Sequence, residues 1–130
     1  MMLLDTSGLL CMMDRKDTRF TKAHEFFLAA DEKWTHSYVI AELVALATAR
    51  GFLRSHLFEF IAALQDSSEV EVVMVDKDLH HAALARLRQR LDMEWSLCDA
   101  VSFVLMERLD IREALTTDHH FEQAGFVRLL

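Results

Sequence analysis

The chain contains no proline, three glycines and two cysteines among its 130 residues. Those scarcities argue against linkers, collagen-like tracts and low-complexity segments, and no internal repeat is visible. Cys11 and Cys98 both sit in apolar stretches of helical pattern and read as a buried, reduced pair of the cytosol. Long apolar runs are missing too: none approaches the roughly 18 residues of a membrane-spanning helix. No basic n-region and no cleavage site open the chain, so no secretory signal is expected and a cytoplasmic location is. Positive charge is also short, with 14 Lys and Arg against 21 Asp and Glu and a net charge of −7. Proteins that coat nucleic acid through its phosphates are usually basic, so this balance counts against simple backbone binding. It leaves open an enzyme that meets phosphates through bound metal, because carboxylates that hold cations add negative charge which the ions cancel. A basic protein partner would suit it as well.

What is present is a core. About half the residues (52%) are apolar, and the length fits a single domain spanning residues 1–130. Met1-Met2-Leu3-Leu4-Asp5-Thr6-Ser7-Gly8 is an apolar run too short for a helix, stopped by a carboxylate. This pattern predicts a buried parallel strand with an acid at its carboxyl end, where open α/β sheets bind ligands. A helix over Thr6–Met13 follows, then a charged turn and an amphipathic helix over Thr18–Ala30, with Thr18 as N-cap and Ala23, Phe26, Phe27 and Ala30 inward. Lys33–Thr35 reads as the second strand. His36-Ser37 opens a helix to about Ala49, closed near Gly51. The next helix runs from about Ser55 to Gln65 on Leu57, Phe58, Ile61 and Leu64. Val70–Val75 is the third strand. Asp76 starts a helix to Leu91, with the stripe Leu79, Ala83, Leu84, Leu87 and Leu91. Ser96 or Leu97 begins a helix ending near Leu109. Ala114–Thr117 is the fourth strand, His119–Ala124 a short helix, and Phe126–Leu129 a fifth strand at most. Strands alternating with helices predict a parallel sheet covered on both faces.

Four acids stand out. Glu42 is the sole charge in Val39–Ala47, a helix apolar nearly all round and therefore expected to be buried. Asp99 repeats the anomaly in Leu97–Met106. Asp118 ends the fourth strand as Asp5 ends the first; if those strands are neighbours, the two acids lie side by side. Singly, each has an ordinary explanation. Asp5 and Asp118 could be N-caps, Asp99 could answer the helix dipole, and Glu42 could pair with Arg50 or Arg54. Together they are better explained by one cause, since carboxylates crowded into a cleft repel one another unless a cation sits among them. Oxygen ligands suit Mg²⁺ or Mn²⁺, and the matching chemistry is metal-assisted hydrolysis of a phosphodiester.

These residues resemble the PIN-domain nucleases, and within them the VapC-type toxins of toxin–antitoxin modules. The likeness rests on Leu4-Asp5-Thr6-Ser7, on Ser37-Tyr38-Val39-Ile40-Ala41-Glu42-Leu43, on Leu97-Cys98-Asp99-Ala100, and on Leu115-Thr116-Thr117-Asp118-His119-His120-Phe121 followed by Gly125-Phe126. The resemblance implies a three-layer α/β/α domain with a sheet of four to five strands in order 3-2-1-4-5. It also implies Mg²⁺- or Mn²⁺-dependent endoribonuclease activity, a homodimer and inhibition by a cognate antitoxin. Asp5, Glu42, Asp99 and Asp118 would be the metal ligands; Thr116, Ser7 and Ser37 would orient them or a water. Many members carry a further acid two residues after the one matching Asp118, where this chain has His120.

Arg15 and Lys16, in the turn after the first helix, are candidates for substrate contact near the strand ends. His120, close to the cluster, reads as an exposed helix-start histidine or as a contact to substrate. The pairs His80-His81 and His119-His120 have no zinc-ligand spacing. Arg86 and Arg90 share a face at i,i+4 that could meet RNA but is better read as solvated. Two rival readings remain. A response-regulator-like receiver would be phosphorylated on Asp76, with Asp5 and Thr116 as its acid and switch hydroxyl; it leaves Glu42 and Asp99 unexplained. An inactive PIN-fold interaction domain would not keep all four acids.

Overall fold

The computed structural model describes residues 1–130. Its sheet has five parallel strands, β1 (Met2–Leu4), β2 (Lys33–His36), β3 (Val70–Val73), β4 (Glu113–Leu115) and β5 (Val127–Arg128), in the order β3-β2-β1-β4-β5. Parallel neighbours need long crossovers, here supplied by α1 (Thr6–Met13), α2 (Phe20–Ala29), α3 (Ser37–Ala49), α4 (Arg54–Asp66), α5 (Lys77–Gln89), α6 (Leu97–Leu109) and α7 (His120–Gln123).

Side chains on a strand alternate between faces, and the two cores follow that alternation. Met2, Leu4 and Leu115 pack with α1 to α4, through residues such as Leu9, Ala23, Leu43 and Leu57. Leu3 and Ala114 point the other way and pack with Phe103 of α6 and Phe121 of α7. A third cluster joins Leu79 and Ala83 of α5 to Ala100, Val101 and Val104 of α6. The result is the three-layer α/β/α arrangement and the strand order that the resemblance implies. No helix is long and apolar enough to cross a membrane.

Two contacts set the helices that matter for the site. A Cβ on Gly8 would lie 2.0 Å from the Leu115 carbonyl oxygen, so α1 rests directly on the end of β4 only because residue 8 has no side chain. His36, fully buried, accepts the Val39 N–H through Nδ1 (3.3 Å), and its Nε2 lies 2.8 Å from the Ser102 hydroxyl, tying the start of α3 to α6. Burial holds its pKa at about 3, so the ring is neutral.

Several boundaries differ from those expected. Thr18 is not a cap: α2 begins at Phe20, and Asp17 takes the Arg19 N–H at 2.8 Å and its guanidinium. Phe58 is 46% exposed, with Arg54 over its ring, rather than inward. β3 stops at Val73 and α5 at Gln89, leaving Met74 and Leu91 exposed. The helix α3 is not buried all round. Only Val39, Leu43 and Ala47 are, while Ala41 and Ala45 face solvent, because alanine favours helix without requiring burial. Arg86 pairs with Glu107 and Arg90 with Asp92, so both charges on that face already have partners within the chain. Asp76 caps α5 by accepting the Leu79 N–H at 2.8 Å. It follows edge strand β3, and β2 separates it from β1, whereas a receiver's order sets its third strand beside the first. The receiver reading is thereby overturned.

Candidate active site

β1 and β4 pair in register, Leu4 opposite Leu115, so Asp5 and Thr116 leave the sheet side by side. Asp5 is 4% exposed. It stands at the N-cap position of α1, yet its side chain makes no capping bond. Instead its Oδ2 receives the Thr116 hydroxyl at 2.7 Å and the Ser7 hydroxyl at 3.1 Å. Each hydroxyl also accepts a backbone N–H from the loop beyond β4: Thr116 from Asp118 (3.0 Å) and Ser7 from Thr117 (2.9 Å). The two hydroxyls thus lock Asp5 to the segment that carries Asp118.

Asp99 comes in from the N-terminus of α6. It forms a reciprocal capping box with Ser96, accepting the Ser96 N–H at 3.1 Å while Ser96 Oγ accepts the Asp99 N–H at 3.0 Å. Capping and membership of the cluster are therefore compatible. Asp118 Oδ1 accepts the His120 N–H at 2.9 Å, a tight turn that brings the imidazole back over the acids. His120 Nδ1 lies 3.1 Å from Asp99 Oδ2 and 3.3 Å from Asp118 Oδ2. Glu42, half-buried on α3, completes the lining of a cleft of about 280 Å³ shared with Asp5, Asp99, Asp118 and His120. It has no ion pair: Arg54 donates to Thr48 instead, and Arg50 lines the cleft without bonding it.

The cleft is electrostatically unbalanced. No Lys or Arg pairs with Asp5, Glu42, Asp99 or Asp118. Burial, opposed by the Thr116 hydrogen bond and reinforced by the charge of Asp99, pushes the Asp5 carboxyl up to about 6. Burial likewise raises Asp99, with Asp118 adding repulsion. The Cys98 thiol is driven well above its ordinary range by burial and by Glu42, Asp5 and Asp99, so it is inert as a nucleophile. Crowded carboxylates, two of them buried and none paired to lysine or arginine, fit a hard divalent cation, which would relieve both desolvation and repulsion. Asp5, Glu42, Asp99 and Asp118 are the residues that would hold it.

Ser37 does not join them: its hydroxyl accepts the Val75 N–H at 2.9 Å and fixes the end of β3 to α3. Arg15 and Lys16 line a larger cleft, about 770 Å³, together with Arg19, Arg50 and His56. Ser7, Leu10 and Arg50 border both clefts, so the basic one opens beside the acids. Arg19 is held by Asp17, whereas Arg15 and Lys16 form no ion pair. Reading His120 as an exposed helix-start residue is corrected by its place between two acids, with a side chain only 21% exposed. Arg50, weighed from the sequence only as an ion-pair partner of Glu42, lines the acidic cleft; it follows Glu42 by eight residues, a spacing that sets both on one helix stripe.

The PIN-domain family model matches residues 2–127. The chain belongs to the PIN-domain family. It is 29% identical over 130 residues to the 23S rRNA-specific endonuclease VapC20 of Mycobacterium tuberculosis, covering 99% of this chain and 98% of that protein, in strains H37Rv and CDC 1551 alike. The crystal structure of Mycobacterium tuberculosis VapC20, titled a sarcin–ricin-loop-cleaving toxin, superposes with a TM-score of 0.88 at 29% identity, over 98% of this chain and 97% of that one. Both likenesses run end to end, so this PIN domain is of the VapC type in sequence and in fold.

Proposed function

We propose that this PIN domain is a Mg²⁺- or Mn²⁺-dependent endoribonuclease that hydrolyses RNA phosphodiester bonds and is held in check by a cognate antitoxin. The observation that carries the reading is the meeting of Asp5, Glu42, Asp99 and Asp118 in one cleft with no lysine or arginine paired to any of them. The full-length likeness to VapC20 supports RNA as the substrate, and the sarcin–ricin loop of 23S rRNA as the target to try first. A cytoplasmic homodimer belongs to the same reading.

A divalent cation supplies Lewis acidity toward the scissile phosphate and readies a water for attack. The chain's part is positioning. Thr116 and Ser7 fix one oxygen of Asp5 and leave the other free. The capping box fixes Asp99, and the turn at His120 fixes Asp118. Arg15, Lys16 and Arg50 offer positive charge to the RNA backbone where the basic cleft meets the acids. Such hydrolysis does not enlist the ribose 2′-OH, so it leaves a 5′-phosphate.

The experiment is cleavage of a sarcin–ricin stem-loop and of other structured RNAs with Mg²⁺, Mn²⁺ or EDTA, comparing wild type with Asp5→Asn and Asp99→Asn. Metal-dependent cutting by the wild type, lost in both variants, is expected. Equal cutting by all three rejects the site, cutting in EDTA rejects the mechanism, and no cutting of any RNA favours an interaction domain.

A further inference from the structure

The acids are not alone in the cleft. His120 Nδ1 lies 3.1 Å from Asp99 Oδ2 and 3.3 Å from Asp118 Oδ2. Adjacent ligands of one octahedral ion, bonded at about 2.1 Å, stand about 3 Å apart. The imidazole nitrogen therefore already stands from each of the two carboxylate oxygens at the spacing of neighbouring ligands on one centre. Asp118 and the two histidines after it also bring one ligand atom each within 4.8 Å of one another. The backbone enforces the arrangement for His120, since Asp118 Oδ1 holds the His120 N–H at 2.9 Å and so aims the ring at the acids. His119, by contrast, is exposed, with its Nδ1 3.6 Å from Asp118 Oδ1.

We infer that His120 is a nitrogen ligand of the divalent ion, making the centre a mixed oxygen–nitrogen site that takes Mn²⁺ over Mg²⁺. This rests on the proposal that the acids hold such an ion. The ring binds through Nδ1 as neutral imidazole, with its proton on Nε2. Imidazole is a good donor to transition ions, whereas Mg²⁺ keeps to carboxylate, carbonyl and water oxygens. An oxygen ligand in the same place would remove the discrimination.

The test is electron paramagnetic resonance of the full chain loaded with Mn²⁺ alone. Loss of the free-ion signal reports binding; electron spin-echo modulation reports nitrogen bonded to the bound ion. The expected result is bound Mn²⁺ with a ¹⁴N coupling that changes to ¹⁵N when histidine alone is isotopically labelled. The coupling should disappear in His120→Asp and persist in His119→Ala. Competition with Mg²⁺ should then show the Mg²⁺-to-Mn²⁺ dissociation-constant ratio falling about tenfold or more in His120→Asp. Bound Mn²⁺ without nitrogen coupling, coupling that depends on His119, or an unchanged ratio overturns the assignment while leaving the acidic metal site standing. No binding of Mn²⁺ overturns both. The labelling arm needs no variant, so absence of a histidine nitrogen coupling overturns the assignment even if His120→Asp does not fold, and His120→Ala or His120→Asn then serves to place a positive coupling.

Discussion

The Thr116 hydroxyl donates to Asp5 Oδ2 at 2.7 Å, joining two buried groups 111 residues apart in the chain. Thr116 Oγ1 in turn accepts the Asp118 N–H at 3.0 Å, so one side chain spaces two of the four acids. Thr116→Val keeps the shape and removes the hydroxyl. It should cost about 1–3 kcal/mol of stability through the orphaned N–H and carboxylate. Mn²⁺ affinity should fall about 10- to 100-fold, while Thr116→Ser restores most of both. Calorimetric titration and chemical denaturation check this, and a valine variant with wild-type affinity refutes the role.

Asp5 titrates at about 6 in the folded chain against an ordinary 3.8. The folded state therefore holds this proton more tightly than the unfolded state does. The stability this contributes is complete below about 3.8 and is lost as pH rises through about 6. Asp5→Asn stays neutral throughout. Without divalent ions it should exceed wild type by on the order of 2–3 kcal/mol at about pH 8, with the gap closing toward about pH 4. Denaturation midpoints across that range, taken in EDTA, test it; curves that stay parallel contradict it.

Gly8 lets α1 sit on β4. In Gly8→Ala the new methyl would meet the Leu115 carbonyl oxygen at 2.0 Å, a backbone atom that cannot swing aside. The helix must shift, carrying Ser7 away from Asp5. A loss of roughly 1–3 kcal/mol is expected, together with weaker Mn²⁺ binding, as read by thermal unfolding and titration. An alanine variant with unchanged Tm and affinity would show that the contact is relieved without moving the site.

Arg15 and Lys16 border the basic cleft without ion pairs of their own. If each meets one phosphate, changing both to alanine should weaken RNA binding and flatten the dependence of log affinity on log salt by about 1–2. Mn²⁺ affinity should stay the same. Filter binding across a salt series, with catalysis blocked by EDTA, measures the slope. An unaltered slope would place the RNA elsewhere.

The parallel sheet and three of the acids are legible for physical reasons, whereas the strand order follows only from the family resemblance. A parallel strand must end at the ligand edge, so acids closing Leu3-Leu4 and Ala114-Leu115 declare where they lie. Asp99 is the single charge in the buried stretch of α6 from Cys98 to Met106. Glu42 was identified on a premise that holds only in part, because alanines that look like core line the outer face of α3. The place of His120 is not legible in one-dimensional spacing, which does not show the Asp118 turn that folds its ring back. Ser37 resembled a site hydroxyl but serves the end of β3, a choice made by tertiary packing rather than by its neighbours in sequence.

The most direct measurement of the central claim is anomalous diffraction from crystals soaked in Mn²⁺. A single strong peak within bonding distance of Asp5, Asp99 and Asp118, reached by Glu42 directly or through water, is the predicted result. Density that leaves these carboxylates bare, or an ion bound only elsewhere on the surface, would contradict it.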